Sequence, residues 1–282
     1  MAAIGVQAMM LKQIAAEAGP FEAMRRLVSV GFTVTELAQI PMTDENVAEL
    51  ARARDEFGLT FAALSAVLGP STGGTDSLDT DLDKIVADAR TLGSTMVRVA
   101  MLPFDALGEP EKLIGASREL ERHAKRLDDD GIRLCYHNHH VEFATLGGTH
   151  LHDIIAEHAP SVGFELDTHW LQRAGLDPVQ AITDRAGRVA LVHLKDYRIR
   201  NLDPALFAEV SAGGFPAFRN ALVTDAEVGE GNLDWKRIIP AARDAGAQYL
   251  LIEQEETDGM DILDCLRTSY RNIDEMGFGD LL

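Results

Sequence analysis

The sequence predicts an α/β fold, a single closed (β/α)8 barrel spanning residues 1–282. Three observations carry this expectation. Short apolar runs alternate with polar segments of helical period along the whole chain, the pattern of strands buried on both faces of a parallel sheet. Eight such strand–helix units fit into 282 residues, near the roughly 250 typical of this barrel. No shift in composition marks a domain boundary. An open, doubly wound sheet would usually carry a phosphate-binding Gly-rich turn after its first strand, and Gly5-Val6-Gln7-Ala8-Met9-Met10 is not one.

The expected strands are Ala3–Ala8, Phe32–Leu37, Leu59–Leu64, Met96–Val99, Ile132–Tyr136, Val162–Leu166, Val189–Leu194 and Tyr249–Ile252. Six of them follow a glycine that ends the preceding polar segment, as at Gly58 and Gly93. The expected helices are Phe21–Val30, Asp44–Phe57, Leu82–Leu92, Lys112–Leu127, Leu151–His158, Pro178–Asp184, Trp235–Ala245 and Ile262–Met276. One connection is long, from Asp196 to about Asn232, and contains Pro204, Gly213, Gly214 and Pro216. Such a segment reads equally as a cover for a site or as a tolerated insertion.

Lys and Arg total 26 against 45 Asp and Glu, a net charge of −19. So acidic a surface repels phosphate backbones and anionic lipid heads, so neither nucleic acid nor membrane is expected as a partner. Hydrophobic residues make up 46% of the chain, enough for a large core that needs no disulfide or metal to fold. Cys135 and Cys265 lie far apart, outside any CxxC motif, and read as two reduced, buried thiols. Residues 1–11 lack a basic start followed by a long apolar stretch, and no run approaches the ~18 apolar residues of a membrane span. The expectation is a cytoplasmic protein.

Chemistry in such a barrel lies at the C-terminal ends of the strands. Strand five ends in Tyr136-His137-Asn138-His139-His140 and is followed by Glu142. Strand six ends in Glu165-Leu166-Asp167-Thr168-His169-Trp170, strand seven in His193-Leu194-Lys195-Asp196, and strand eight in Glu253-Gln254-Glu255. Side chains alternate faces along a strand, so His137 goes with His139, Glu165 with Asp167, His193 with Lys195, and Glu253 with Glu255. If one face of each pair points into the barrel mouth, imidazole, carboxylate, imidazole and carboxylate meet around one divalent ion. Mixed nitrogen and oxygen donors suit Mn2+, Zn2+ or Co2+ better than Ca2+. Lys195 is placed to polarise a substrate oxygen, with an ion pair to Glu165 or Glu255 as the alternative. His169, Trp170 and Glu255 are placed to line a sugar pocket, with ordinary packing of Trp170 as the alternative. His123, His150, His152 and His158 read as surface residues.

These residues resemble the sugar phosphate isomerase/epimerase family, the xylose isomerase-like TIM barrels, over nearly the whole chain. The resemblance rests on Tyr136-His137-Asn138-His139 with Glu142-Phe143, Phe164-Glu165-Leu166-Asp167, His193-Leu194-Lys195-Asp196, Glu227-Val228-Gly229-Glu230-Gly231 and Ile252-Glu253-Gln254. It implies one divalent metal ion (Mn2+, Zn2+, Co2+ or Mg2+) held by Glu142, Asp167, His193 and Glu253. Many relatives carry Glu where this chain has His137. Strand parity favours His137 as the fourth ligand, the family's ligand chemistry favours Glu142, and Glu142 is the residue expected. Glu253, His137, His139 and Lys195 then form the catalytic set, with a small-molecule sugar as partner and a homo-oligomer, dimer or tetramer, as the assembly.

The expected reaction is isomerisation or epimerisation of a keto sugar or sugar derivative by proton abstraction through an enediolate. The runner-up is a dehydratase or lyase acting on a keto-polyol or 3-keto glycoside at the same site. Less favoured are a metallo-endonuclease of the DNA-repair type sharing this barrel, which the charge opposes, and a non-catalytic sugar-binding subunit.

Overall fold

Eight parallel strands close the barrel in the computed structural model, which describes residues 2–71, 73–201 and 204–282. They are β1 (Ala3–Gln7), β2 (Val34–Leu37), β3 (Thr60–Ala66), β4 (Met96–Val99), β5 (Arg133–His137), β6 (Gly163–Asp167), β7 (Val189–Leu194) and β8 (Tyr249–Ile252). Each is bonded to its neighbours in sequence, and β1 pairs with both β2 and β8.

Helices between the strands cover the outside, and their ends follow local chemistry. Helix Asp44–Phe57 starts where the Thr43 side chain accepts from the Asn46 N–H and stops at Gly58 in the left-handed conformation, φ 69°. Helix Pro110–Asp128 begins two residues before the expected Lys112, because a proline suits the first helical turn. The last helix ends at Ile273, short of the expected Met276, and passes into a wider turn, Asp274–Phe278, in which Gly277 has φ 93°. Short helices Lys12–Ala18, Phe104–Leu107 and Thr168–Arg173 were not anticipated. Within the long connection an antiparallel ribbon, Asp196–Ile199 with Val223–Ala226, flanks helix Pro204–Ala221, whose helical path breaks at Gly214.

Asp196 ties that connection down. Its buried carboxylate accepts from the backbone N–H groups of Tyr197, Gly229, Gly231 and Leu233 and from the Trp235 indole at 2.6 Å. Gly231 is required there, since a Cβ would sit 2.1 Å from Asp196 Oδ1.

Inside the barrel, Val34, Met96, Cys135, Leu191 and Leu251 form an apolar plug separate from the main helix–sheet core. Two residues further along the same faces stand Glu36, Arg98, His137, His193 and Glu253, all buried. The strand parity read from the sequence therefore holds, and the barrel interior changes from apolar to charged within one layer. Both thiols are buried and free, and burial raises each to about 12. Among the described residues no helix is long and apolar enough to cross a membrane.

Two histidines expected at the surface are buried instead. His123 Nε2 meets Asp79 Oδ1 at 2.8 Å, a partner from a distant loop that local sequence does not reveal. His152 lies 2% exposed between the rings of Phe143 and Phe164, at 5.3 and 4.6 Å. Burial, with Arg185 and Arg188 nearby, lowers His152 to about 3. The unfolded chain takes up this proton near pH 6.5 and the folded chain does not. The stability contributed by the neutral ring is therefore complete above about pH 6.5 and falls as the pH drops toward 3. Urea titrations at pH 7 and pH 4.5 should show a loss of about 2–3 kcal/mol attributable to His152, and His152→Gln should lose less than wild type over the same interval.

Candidate active site and metal centre

Strand register brings the polar residues together at the barrel mouth. His137 pairs in register with Glu165, and Asp167 with His193. Glu253 follows directly on β8, whose Ile252 is aligned with Leu194. The result is a buried cluster centred on the His193 ring. Its Nε2 faces inward, 3.2 Å from Glu36 Oε2 and 3.1 Å from Glu165 Oε1. Its Nδ1 faces the mouth, 2.9 Å from Glu253 Oε2 and 3.7 Å from Asp167 Oδ2. The His137 ring stands 4.7 Å from the His193 ring, centroid to centroid.

Glu36 and Arg98 belong to this centre and were not singled out from the sequence. Arg98 Nε donates to Glu36 Oε1 at 2.7 Å and lies 3.6 Å from Glu165 Oε2. A charged residue in each of two otherwise apolar or neutral runs, Val34-Thr35-Glu36-Leu37 and Met96-Val97-Arg98-Val99, is the signal that could have found them. Burial resists ionisation of Glu36, yet Arg98 and His193 overcome it and hold the carboxyl at about 2. Glu165 responds the other way: burial and the neighbouring Glu36 charge lift it to about 8. Burial disfavours a proton on His193, but Glu165, Glu253 and Glu36 outweigh it and raise the ring well above its ordinary range. The carboxylates that attract a proton to this ring favour a metal cation beside it for the same electrostatic reason.

The donor set fits a divalent ion. One donor atom each of His137, Asp167 and His193 lies within 4.8 Å of the others, and all three residues are buried. His137 Nδ1 and Asp167 Oδ2 are buried with no hydrogen-bond partner, which is costly unless something else engages them. Glu36, Glu165 and His193 form a second such group, but there the Arg98 guanidinium already supplies the positive charge.

Of the four ligands expected, Asp167, His193 and Glu253 are brought together and Glu142 is not. Glu142 Oε1 accepts from the Tyr136 hydroxyl at 2.7 Å and Oε2 from the His139 N–H at 2.8 Å. Tyr136 alternates with His137 on β5 and packs in the outer core, so Glu142 is held behind the strand. His137 takes the position that strand parity favours.

Around this centre, Lys195 is 1% exposed and bridges Glu253 Oε1, at 2.9 Å, and Glu255. Its ammonium lies 5.1 Å over the Trp170 ring. His139 packs edge-on to His137 and 5.6 Å from Trp170, while His169 stands edge-on to Trp170. Burial lowers both His139 and His169 to about 4, so both rings are neutral at pH 7. A cavity of 960 Å³ opens over the cluster, with His137, His139, Arg98, Glu253 and Glu255 in its walls.

The sequence matches the family model of the xylose isomerase-like TIM barrel over residues 24–269. The chain belongs to that family. A search of curated proteins finds no match. Among solved structures it is similar to a sugar phosphate isomerase/epimerase from Parabacteroides distasonis, with TM-score 0.73, 19% identity, and coverage of 99% of this chain and 96% of the other. It is similar to an L-ribulose 3-epimerase, with TM-score 0.70, 17% identity, and coverage of 100% and 96%. It is also similar to a probable 3-DHS dehydratase from Bacillus anthracis, with TM-score 0.64, 14% identity, and coverage of 97% and 99%. This xylose isomerase-like barrel thus shares its fold with sugar epimerases and a dehydratase.

Within the family fold, Arg98 is the counter-charge for two buried carboxyls. Arg98→Met should cost about 3–5 kcal/mol in urea unfolding, because the buried Glu36 and Glu165 lose their guanidinium and keep only the His193 ring as a counter-charge. Adding Glu36→Gln should return a substantial part of that loss, read as coupling in a double-mutant cycle.

Proposed function

We propose that this chain is a divalent-metal-dependent epimerase or isomerase of a keto sugar, with His137, Asp167, His193 and Glu253 holding the ion. The supporting observation is the convergence of buried donors of His137 and Asp167, which lack a hydrogen-bond partner, with His193, next to a large cavity that His137 and Glu253 line. When bound, the ion supplies positive charge where negative charge develops on the substrate carbonyl oxygen.

The protein's own groups do the rest. Glu36 accepts from His193 Nε2, which leaves Nδ1 turned to the mouth as a donor atom. His139 is assigned the proton transfer, because it lines the cavity and has an unpartnered Nδ1. Glu142 fixes the His139 backbone from behind. His139 takes the proton from the carbon next to the carbonyl, the C–H electron pair becomes the C=C bond, and the carbonyl electrons move onto oxygen to give the enediolate. A proton delivered to the opposite face by a second acid, with His139 later losing its own to solvent, yields an epimer; His139 handing its proton to the neighbouring carbon yields an isomer. Burial disfavours charge on Lys195, but Glu253, Asp167 and Glu255 raise it further still, so it serves as a fixed positive charge and not as a base. His169, Trp170 and Glu255 stand beside the reacting centre for substrate hydroxyls and C–H faces.

Elemental analysis should find one divalent ion per chain, lost in Asp167→Ala. Incubation of the metal-loaded protein with ketoses and keto-glycosides in D2O should place solvent deuterium on the carbon next to the carbonyl of at least one of them. His139→Asn should slow that exchange by about 10²–10⁴-fold while the ion is retained. Elimination in place of exchange would make the protein a dehydratase or lyase. Neither exchange nor elimination from any keto sugar or keto glycoside would overturn the proposal.

A further inference from the structure

The cavity is much larger than one sugar ring needs. Its 960 Å³ falls at the upper end of the roughly 300–1,000 Å³ of small-molecule sites. From His137 and Glu253 it runs outward between helix Lys12–Ala18 and the turn before the last helix, reaching Met260 and Leu263. Its outer part has an uncommon composition. Buried Met9 and Met10 contribute apolar surface, and Lys12, Gln13 and Gln39 bring polar heads to the same space.

Gln39 is the informative residue. It lies just past β2 with φ 56°, in the left-handed region that non-glycine residues seldom occupy. Its side chain is engaged at both ends: Oε1 accepts from Lys12 Nζ at 2.8 Å, and Nε2 donates to Met9 Sδ at 3.6 Å. Backbone strain of this kind is held where the direction of a side chain matters, most often at ligand sites. Gln13 is oriented too, donating to Glu17 at 2.9 Å.

The side-chain charges in the cavity walls disfavour a phosphate in its outer part. Arg98 is paired with Glu36 at 2.7 Å and Arg26 with Glu22 at 2.8 Å. Against Lys12 stand the acids Glu17, Glu255, Glu256 and Asp261 in the same walls. Amides, one shared ammonium and thioethers match hydroxyls and the C–H face of a neutral sugar.

We propose that Gln39, Gln13 and Lys12, with Met9 and Met10, form a distal subsite for a second sugar unit, so that the substrate is a neutral keto-glycoside and not a free ketose or a sugar phosphate. This rests on the sugar-epimerase reading of the inner site and adds the second ring. The test is isothermal titration of the metal-loaded protein with glucose, cellobiose, maltose and glucose 6-phosphate. At least one disaccharide should bind tenfold or more tightly than glucose, and glucose 6-phosphate no more tightly than glucose. Gln39→Ala and Gln13→Ala should each lower the disaccharide-to-glucose affinity ratio at least fivefold. Gln39→Gly should lower it equally while raising the melting temperature, which separates the side chain's role from that of the strained backbone. A wild-type ratio near one, a ratio unmoved by the substitutions, or preference for the phosphate would overturn the subsite. Absence of metal and of deuterium exchange, with the ratio intact, would overturn the inner-site reading alone.

Discussion

Four carboxyl groups, those of Glu36, Glu165, Asp167 and Glu253, are buried together at one end of this barrel, and their mutual repulsion is the constraint to which the rest of the site answers. Carboxylates are rarely buried unless they are paired. Here Arg98 sits against Glu36 and Glu165, Lys195 against Glu253, and the His193 ring reaches all four. Even so, burial and the neighbouring Glu36 charge push Glu165 up to about 8. The divalent ion proposed for the mouth side of His193 would add positive charge there, where Asp167 and Glu253 have no guanidinium beside them.

The cluster depends on the barrel's layering. Barrel interiors are usually filled by branched apolar side chains in successive layers. In this chain the lower layer keeps that character, with Val34, Met96, Cys135, Leu191 and Leu251, and the next layer is ionic. The apolar plug desolvates the charges above it from below, and of that layer Arg98, His137 and Glu253 reach the cavity wall. Outside the wall, Asp196 gathers five donors and fixes the long connection beside β7. That connection contributes to the site by holding the ribbon against β8, where Asp225 accepts from the backbone of Glu255 and Glu256.

Much of the centre was legible residue by residue. Period-two alternation placed Asp167, His193, Lys195 and Glu253 on the inner face, and the structure keeps them there. It also pointed to His137, whereas the family's ligand chemistry pointed to Glu142. The structure shows Glu142 bonded to Tyr136 and to the His139 backbone, because a residue five positions past the inward-facing His137 lies in a turn that folds back behind the strand. Arg98 and Glu36 were within reach of the same parity argument, since each is a lone charge in an apolar or neutral strand. His152 was not, because its burial depends on Phe143 and Phe164 arriving from other elements.

Alternation of strand and helix, the facing of side chains along each strand, and the acidic character of the chain follow from local periodicity and composition, so the linear order of residues contains them in full. Which carboxylates end up adjacent does not. The 3.2 Å approach of Glu36 to His193 spans 157 positions of chain and exists only because closure of the barrel carries β2 and β7 to opposite sides of one narrow interior. The paired state of Arg98, whose partners Glu36 and Glu165 lie on other strands, likewise depends on the tertiary fold.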